Sequence, residues 1–220
     1  IICGPFNSGR STTVASLLQF INANYSKRIV TLEKPIEYAL VNTKSIINQR
    51  EVGRDTPSFI HGVNDLIDDD VEVVALSDLS EPGIHERVLV LAESGKLVIA
   101  LMNSNSTISA IESFLGSISD DRRQWAKDSL TGTLLAVVAQ RLVPAIGGGR
   151  ILAAEVLTMS PAVASIMQEE KFGQLHTVLQ TSREEGMVSL DYRLFELVKS
   201  GKIAGEEAKK YALDPSSIRL

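Results

Sequence analysis

Residues 4–13, GPFNSGRSTT, have the residue types and spacing of a phosphate-binding loop. Two glycines enclose four residues, and Arg10 and Ser11 follow the second glycine. In such a loop, consecutive backbone N–H groups curl around phosphate oxygens at the start of a helix. A lysine normally follows the second glycine and reaches the β- and γ-phosphates, while a serine or threonine hydroxyl holds magnesium. The sequence therefore predicts a phosphate cradle in which an arginine replaces the lysine.

The residues expected to bind the nucleotide are Gly4, Pro5, Phe6, Asn7, Ser8, Gly9, Arg10, Ser11 and Thr12. Arg10 keeps a positive charge, but its planar guanidinium is wider than an ammonium and prefers a forked contact. Asn7 tolerates the left-handed backbone conformation better than most residues. Ser11 is the predicted magnesium ligand. An ordinary turn between a strand and a helix is the alternative interpretation of this loop.

Apolar runs alternate with helical patterns over the first hundred residues. The runs predict strands at residues 1–3, 28–32, 45–48, 72–76 and 97–101. Helical patterns lie between them at residues 10–22, 56–67 and 84–93. This alternation of strands and helices predicts an α/β fold with a mostly parallel sheet. Sheets of this type bind ligands at the carboxyl ends of their strands.

The pattern changes after residue 101, and no element is assigned to residues 102–119. A helix is predicted at residues 120–135, followed by two β-branched runs at 137–143 and 150–157 that a PAIGGG turn joins into a hairpin. Only helices are predicted further on, at residues 161–168, 172–180, 189–200 and 205–212. The predicted division is a core at residues 1–160 and a small C-terminal helical region at residues 161–220.

Composition and charge narrow the function classes. The 220 residues are 44% hydrophobic and 22% charged, which is typical of a folded domain rather than a disordered chain. The net charge of −5 and the lack of a basic block argue against a nucleic-acid groove. No apolar run reaches the ~18 residues of a membrane span. The single cysteine, Cys3, excludes an internal disulfide.

Six segments together resemble the secretion-type ATPase superfamily, and in particular the PilT-like retraction motors of type IV pili: GPFNSGRSTT, VTLEKPIEY, INQREVGRDTPSF, LAESGKLVIALMNS, VAQRLV and EEGMVSLDYRLFELVKSGKI. The resemblance implies a RecA-like P-loop NTPase core and hexameric rings that hydrolyse ATP with Mg²⁺. It also implies a cytoplasmic protein, peripheral to the inner membrane, that acts with the pilus inner-membrane platform protein. Family members carry an N-terminal PAS-like domain, which the resemblance leads us to expect, with a further strand, before Ile1.

The same resemblance assigns catalytic positions, and several depart from the family pattern. The acidic box Glu-Asp-Pro-Ile-Glu reads Glu-Lys-Pro-Ile-Glu here and begins at Glu33. The Gly-Glu pair that ends the Walker B strand falls on Ser77 and Asp78, and Asp78 becomes the second predicted magnesium ligand. The histidine of the Leu-His-Thr box is replaced by Asn103. The implied catalytic residues are therefore Glu33, Asp78 and Asn103.

The departures fall together on motifs that handle nucleotide, whereas Arg50, Arg54 and Arg141 match the family and are predicted to act at a subunit interface. We therefore expect a pilus motor paralogue with weakened or lost ATP hydrolysis. Two alternatives stay open. One is a fully active hexameric ATPase of type IV pili or type II secretion, and the other is a nucleotide-sensing binding module outside any motor.

Overall fold

The computed structural model describes residues 1–218. Within these residues the strands are β1 (Ile2–Cys3), β2 (Arg28–Glu33), β3 (Ile46–Glu51), β4 (Val73–Leu76), β5 (Leu97–Met102), β6 (Ala136–Pro144) and β7 (Arg150–Thr158). The α-helices are α1 (Arg10–Asn24), α2 (Phe59–Ile67), α3 (Ile84–Glu93), α4 (Thr107–Gly116), α5 (Arg123–Thr133), α6 (Pro161–Gln168), α7 (Leu175–Thr181), α8 (Leu190–Lys199) and α9 (Gly205–Tyr211).

The chain divides into two compact units. The first unit contains Ile1–Ile2, Arg10–Met102 and Ser113–Thr133. The second unit contains Cys3–Gly9, Asn103–Glu112 and the described residues from Leu134 onward. The sequence-based boundary near residue 160 stays a prediction.

The first unit is built on a parallel sheet with the strand order β3-β2-β4-β5. Side chains alternate between the two faces of each strand. On one face, Val14 and Leu18 of α1 form a core cluster with Ile29 of β2 and with residues of β4 and β5. On the other face α2 lies so close that a Cβ on Gly62 would come within 2.8 Å of Leu32. The predicted parallel sheet covered by helices is confirmed for these strands.

Helix α2 begins at Phe59, three residues later than the sequence predicts. Ser58 has an extended backbone conformation, and its side chain accepts a hydrogen bond from His61 N. The carboxylate of Glu81 accepts hydrogen bonds from the N–H groups of Phe59, at 2.8 Å, and Ile60, at 3.4 Å. These acceptors satisfy N–H groups that have no partner within the helix, so they fix where it starts.

The second unit is built on the antiparallel hairpin of β6 and β7. The turn between them has positive φ angles at Gly147, Gly148 and Gly149, of 92°, 102° and 74°. Side chains of the hairpin, among them Val143, form a core cluster with α8 residues that include Leu194. The predicted hairpin is confirmed, and so are the helices predicted from Pro161 onward, whose ends differ from the prediction by no more than three residues.

Two sequence-based assignments need correction. Helix α4 lies in a stretch for which the sequence pattern predicts no element, because its sequence TISAIESFLG is rich in Ser, Thr and β-branched residues, which are poor helix formers. The predicted helix at residues 120–135 is instead a 3₁₀ turn, Asp120–Arg122, followed by the shorter α5. Among residues 1–218, no helix has both the length and the apolar character needed to cross a bilayer.

Candidate functional site

The loop at residues 4–9, in the second unit, is curled and tightly packed. A Cβ on Gly4 would lie 2.4 Å from Ser8 Oγ and 2.7 Å from the carbonyl oxygen of Gln140, so no larger residue fits without displacement. Asn7 and Gly9 have φ angles of 62° and 87°, and the left-handed conformation expected to be tolerated at Asn7 is present. A loop of this conformation turns successive backbone N–H groups toward one side, as anion-binding loops do.

Ser8 gives this loop an unusual polar group. Its side chain is only 3% exposed, and its hydroxyl has no hydrogen-bond partner among residues 1–218. Buried polar atoms in native proteins normally have a partner, so an orphaned hydroxyl calls for an explanation. An anion in the loop would supply the missing acceptor. The neighbouring Phe6 is 80% exposed, so its ring does not fill the loop.

Helix α1 begins at Arg10, in the first unit. The Arg10 guanidinium Nη1 donates a hydrogen bond to the carbonyl oxygen of Met102, at the end of β5, over 2.5 Å. Ser11 and Thr12 follow in the first turn of α1, and the Thr12 hydroxyl lies 2.8 Å from the Tyr38 hydroxyl. The cation that replaces the lysine is therefore bonded to the main chain at the carboxyl end of the sheet.

Glu33 ends β2, where ligands of a parallel sheet are expected. Its Oε1 accepts hydrogen bonds from Thr31 Oγ1, at 2.6 Å, and from Gln49 Nε2, at 2.9 Å. Two donors on neighbouring strands thus hold the half-buried carboxylate in one orientation.

A small cavity in the first unit brings Ser11 and Glu33 together. It encloses about 30 Å³, which is room for roughly two water molecules. The cavity is lined by Ser11, Val14, Ala15, Leu18, Thr31, Glu33, Pro35, Glu37, Tyr38, Leu40, Gln49, Ala75, Leu76, Ser77 and Leu101. Ser77, rather than the predicted magnesium ligand Asp78, contributes to this lining.

Asp78 lies just beyond β4 and accepts a hydrogen bond from the Ser80 hydroxyl. Its negative charge interacts with His85, a buried residue of α3 for which the sequence pattern indicates no function. Burial lowers the pKa of His85 below its ordinary value, and the carboxylate of Asp78 opposes that shift. The His85 ring packs edge-on against Phe114, with 4.8 Å between the ring centroids.

Asn103 and Arg141 belong to the second unit. Asn103 is exposed, whereas Arg141 is only 8% exposed. The Arg141 guanidinium donates to the carbonyl oxygens of Gln140, at 2.9 Å, and Asn105, at 2.5 Å. Burial lowers the pKa of Arg141, and the electrostatic interactions with Cys3 and Glu155 partly oppose that shift. Arg141 therefore holds the loop that carries Asn103.

The two other predicted interface arginines lie in or near β3. Arg50 is half-buried in the β2–β3 ladder, and its side chain has no hydrogen-bond or ion-pair partner among residues 1–218. Arg54 is exposed and pairs with Asp55, with 3.1 Å between Nε and the carboxylate. That hydrogen bond raises the pKa of Arg54 and lowers the pKa of Asp55.

Residues 1–208 match the family described as type II/IV secretion system protein. The chain belongs to this family. Among curated secretion-family relatives, it is 32% identical over 219 residues to a twitching motility protein of Neisseria gonorrhoeae, covering 99% of this chain and 59% of that protein. It is 31% identical over 218 residues to the type IV pilus retraction ATPase PilT of Pseudomonas aeruginosa, covering 99% of this chain and 63% of PilT.

The chain is also similar to the solved structure of the pilus retraction motor PilT with bound ADP, with a TM-score of 0.90 and 34% identity. The match covers 98% of this chain and 62% of the PilT chain. This secretion-family chain therefore has the predicted fold, a RecA-like P-loop NTPase core with a small C-terminal helical region. The predicted resemblance to PilT-like proteins is confirmed. The chain spans about three fifths of the length of these relatives.

Proposed function

We propose that this chain is the core of a PilT-like motor ATPase paralogue of type IV pili, concerned with twitching motility, whose ATP hydrolysis is weakened or lost. It acts in pilus retraction or in a secretion assembly. The observation that carries the proposal is the hydrogen bond from Arg10 to the carbonyl oxygen of Met102. The charged group expected to reach the phosphates is engaged by the main chain instead, and its forked shape makes it a poor substitute for lysine.

Binding of ATP depends less on that cation than hydrolysis does. The backbone donors of residues 4–9 and the start of α1 do not require a lysine. The close packing at Gly4, and a Ser8 hydroxyl that has no partner in the part of the chain that the structure describes, fit a loop that holds an anion. We therefore expect ATP to bind with reduced affinity through the backbone of residues 4–12. A similar protein, PilT, has been solved with bound ADP.

Magnesium would be held by Ser11, with Asp78 as the second protein ligand. Residues 1–218 contain no group of three or more His, Cys, Asp or Glu side chains that could hold a metal ion alone. This fits Mg²⁺, which usually keeps several waters and takes one or two protein groups together with substrate phosphates. When bound, the ion neutralises the charge that develops on the phosphates.

The chain's own residues account for weak hydrolysis. Glu33 is oriented to accept a proton from water, but Asp78 is one methylene shorter than glutamate and is bonded to Ser80. Asn103 has no titratable group and cannot transfer a proton as histidine does. The loss of one well-placed electrostatic stabiliser commonly costs about 3–4 kcal/mol, or about a hundred- to a thousandfold in rate.

The assembly follows the same reasoning. We propose that the full-length protein joins a homo- or hetero-hexamer with related motor subunits, in the cytoplasm at the inner membrane beside the pilus platform protein. Arg50 is half-buried and its side chain has no partner within residues 1–218, and Arg54 is exposed beside Asp55, so both are proposed to meet a neighbouring subunit or its nucleotide, together with Arg141. The similarity to proteins named for twitching motility and pilus retraction supports this proposal.

A fully active ATPase is the second candidate, and the orientation of Glu33 favours it. The deciding experiment measures binding of a fluorescent ATP analogue and release of phosphate by the full-length protein. Binding that Gly4→Ala abolishes, with phosphate release no faster than in Glu33→Ala, supports the proposal. Turnover of about 1 s⁻¹ or more, within the usual range for enzymes, overturns it in favour of the active motor. Nucleotide binding without copurification of pilus inner-membrane components would instead indicate a sensing module.

A further inference from the structure

The side-chain amide of Gln49 connects three groups in the first unit. Its Nε2 donates to Glu33 Oε1, at 2.9 Å, and to the carbonyl oxygen of Tyr38, at 2.8 Å. Its Oε1 accepts the N–H of Leu40, at 2.8 Å. Two acceptors face the nitrogen and one donor faces the oxygen, so only one orientation of the amide satisfies all three.

The strand register explains why Gln49 reaches Glu33. Gln49 of β3 is the parallel partner of Thr31 of β2. Glu33 follows Thr31 by two residues and therefore projects from the same face of the sheet. Thr31 and Gln49 approach the same carboxylate oxygen from adjacent strands, and Glu33 Oε2 keeps no hydrogen-bond partner among residues 1–218. The fixed carboxylate thus has one oxygen available to accept a proton.

Gln49 also holds the segment at residues 38–40, which lies over the cavity. Tyr38 and Leu40 line that cavity together with Ser11 and Glu33. The Tyr38 hydroxyl contacts the Thr12 hydroxyl in the first turn of α1. A displacement of this segment would therefore be transmitted through Gln49 to the Glu33 carboxylate.

We infer that Gln49 is a positioning residue for Glu33: it orients the carboxylate toward the cavity and at the same time locks residues 38–40 above it. The inference rests on the proposed function for the assignment of Glu33 to ATP hydrolysis. The geometry itself predicts a coupling between Gln49 and Glu33 that can be measured without turnover.

Three variants separate this role from a purely structural one. Gln49→Leu removes all three hydrogen bonds. Gln49→Glu can still accept a hydrogen bond from the Leu40 N–H, but it places a second carboxylate beside Glu33. Two carboxylates form a hydrogen bond with each other only when they share a proton, which requires a lower pH. The double variant Glu33→Gln with Gln49→Glu, called the exchanged pair, swaps the two side chains. It restores one donor and one acceptor, with the amide now at position 33 and the carboxylate at position 49. Gln124→Leu, on the exposed side of α5, is the matched control.

The experiment is hydrogen exchange of the Leu40 amide, followed by NMR on the full-length protein at pH 8 and pH 6 and expressed as protection relative to the intrinsic exchange rate. Gln49→Leu should lower protection about fivefold or more at both pH values, as expected for the loss of a net hydrogen bond. Gln49→Glu should lose protection at pH 8 and regain it at pH 6. The exchanged pair should be protected at both pH values, and Gln124→Leu should match the wild type.

Where phosphate release is detectable, Gln49→Leu should lower kcat and leave KM for ATP unchanged. Equal protection of Leu40 in the wild type and Gln49→Leu would overturn the inference. The inference would also be overturned if Gln49→Glu lost protection of the Leu40 amide and neither low pH nor the exchanged pair restored it. That result would indicate a structural role, which does not depend on Glu33. Rapid turnover by the wild type would refute the weakened-motor proposal and leave the exchange result unaffected.

Discussion

Arg10 Nη1 and the carbonyl oxygen of Met102 lie 2.5 Å apart, so the first residue of α1 is bonded to the last residue of β5. A lysine ammonium has three donors on one nitrogen, whereas a guanidinium spreads its donors over a rigid plane. The hydrogen bond to the Met102 carbonyl oxygen therefore sets the orientation of the Arg10 guanidinium plane relative to β5. The orientation that suits a phosphate is a separate requirement, which the contact with Met102 does not itself satisfy.

We expect Arg10→Lys to bind nucleotide about tenfold more tightly, which corresponds to ~1.4 kcal/mol. The lysine releases the guanidinium contact and presents a compact charge to the phosphates. Titration with a fluorescent ATP analogue measures the change. Arg10→Gln, which lacks the charge, is the control and should bind more weakly than the wild type. Equal or weaker binding by Arg10→Lys would show that arginine already serves the phosphates.

Gly4→Ala should destabilise the protein by about 1–3 kcal/mol, the usual cost of overpacking. The added methyl group would meet Ser8 Oγ and the Gln140 carbonyl oxygen at 2.4 and 2.7 Å. Urea unfolding measures the loss, and nucleotide binding should fall with it. Gly132→Ala, inside α5, is the matched control because, apart from its chain neighbours and the backbone of its own helix, no atom of residues 1–218 lies within 4 Å of the Cβ position. That variant should be more stable by about 0.5–1 kcal/mol.

The loop and the strands of the first hundred residues were predictable because their signals are local. Glycine spacing, alternating runs and β-branched residues indicate a strand, a turn and a helix without knowledge of the rest of the chain. Helix α4 carries no such local signal, because its residues are poor helix formers and its start also depends on Glu155, which lies 48 residues away and accepts from both the N–H and the hydroxyl of Thr107, each at 2.8 Å. No local pattern contains that contact.

The candidate site likewise has some features that could be predicted from the sequence and others that could not. Glu33 is the last residue of β2 and Asp78 lies just after β4, and these positions relative to the strands follow from the sequence pattern. The partners that orient them do not, because Gln49 reaches Glu33 through the register of two strands. His85 and its relation to Asp78 also depend on the packing of α3, which leaves that ring buried.

Glu155→Leu should lower the free energy of unfolding by about 2–4 kcal/mol, because buried donors lose their acceptor. The carboxylate is 2% exposed and accepts from Thr107 and from the N–H of Leu190, at the starts of α4 and α8. Urea unfolding measures the change. Glu155→Gln keeps an acceptor oxygen and should cost clearly less. Equal losses in the two variants would mean that packing, rather than the hydrogen bonds, makes Glu155 important.

The stability of the wild type should fall on acidification through His85. Burial holds the pKa of His85 below 6.5 in the folded state, so the unfolded chain takes up this proton first. The contribution is complete above pH 6.5 and is lost as the pH falls toward the folded-state pKa. Urea unfolding between pH 7.5 and pH 5 should show a smaller decline for His85→Phe than for the wild type. The exposed His176→Gln should follow the wild type, and parallel curves for all three proteins would contradict the prediction.

Restoring three positions together should recover ATP hydrolysis in the full-length protein, whereas Arg10→Lys alone should not. A contact that is equally strong in the ground state and the transition state lowers KM without raising kcat. Arg10→Lys adds such a contact, because the lysine already meets the phosphates of bound ATP. Turnover also requires Asp78→Glu, which extends the carboxylate by about 1.5 Å, and Asn103→His, which supplies a group able to transfer a proton.

Phosphate release at saturating ATP, compared among the wild type, the three single variants and the triple variant, measures this recovery. Because groups that act together are not additive, the triple variant should exceed the sum of the single variants. Adding Glu33→Ala to the triple variant is the control and should abolish the recovered rate, since the carboxylate held by Thr31 and Gln49 is then missing. If the triple variant binds ATP tightly and still releases no phosphate, the defect lies outside these three positions, and the assignment of the weakened site to them is wrong.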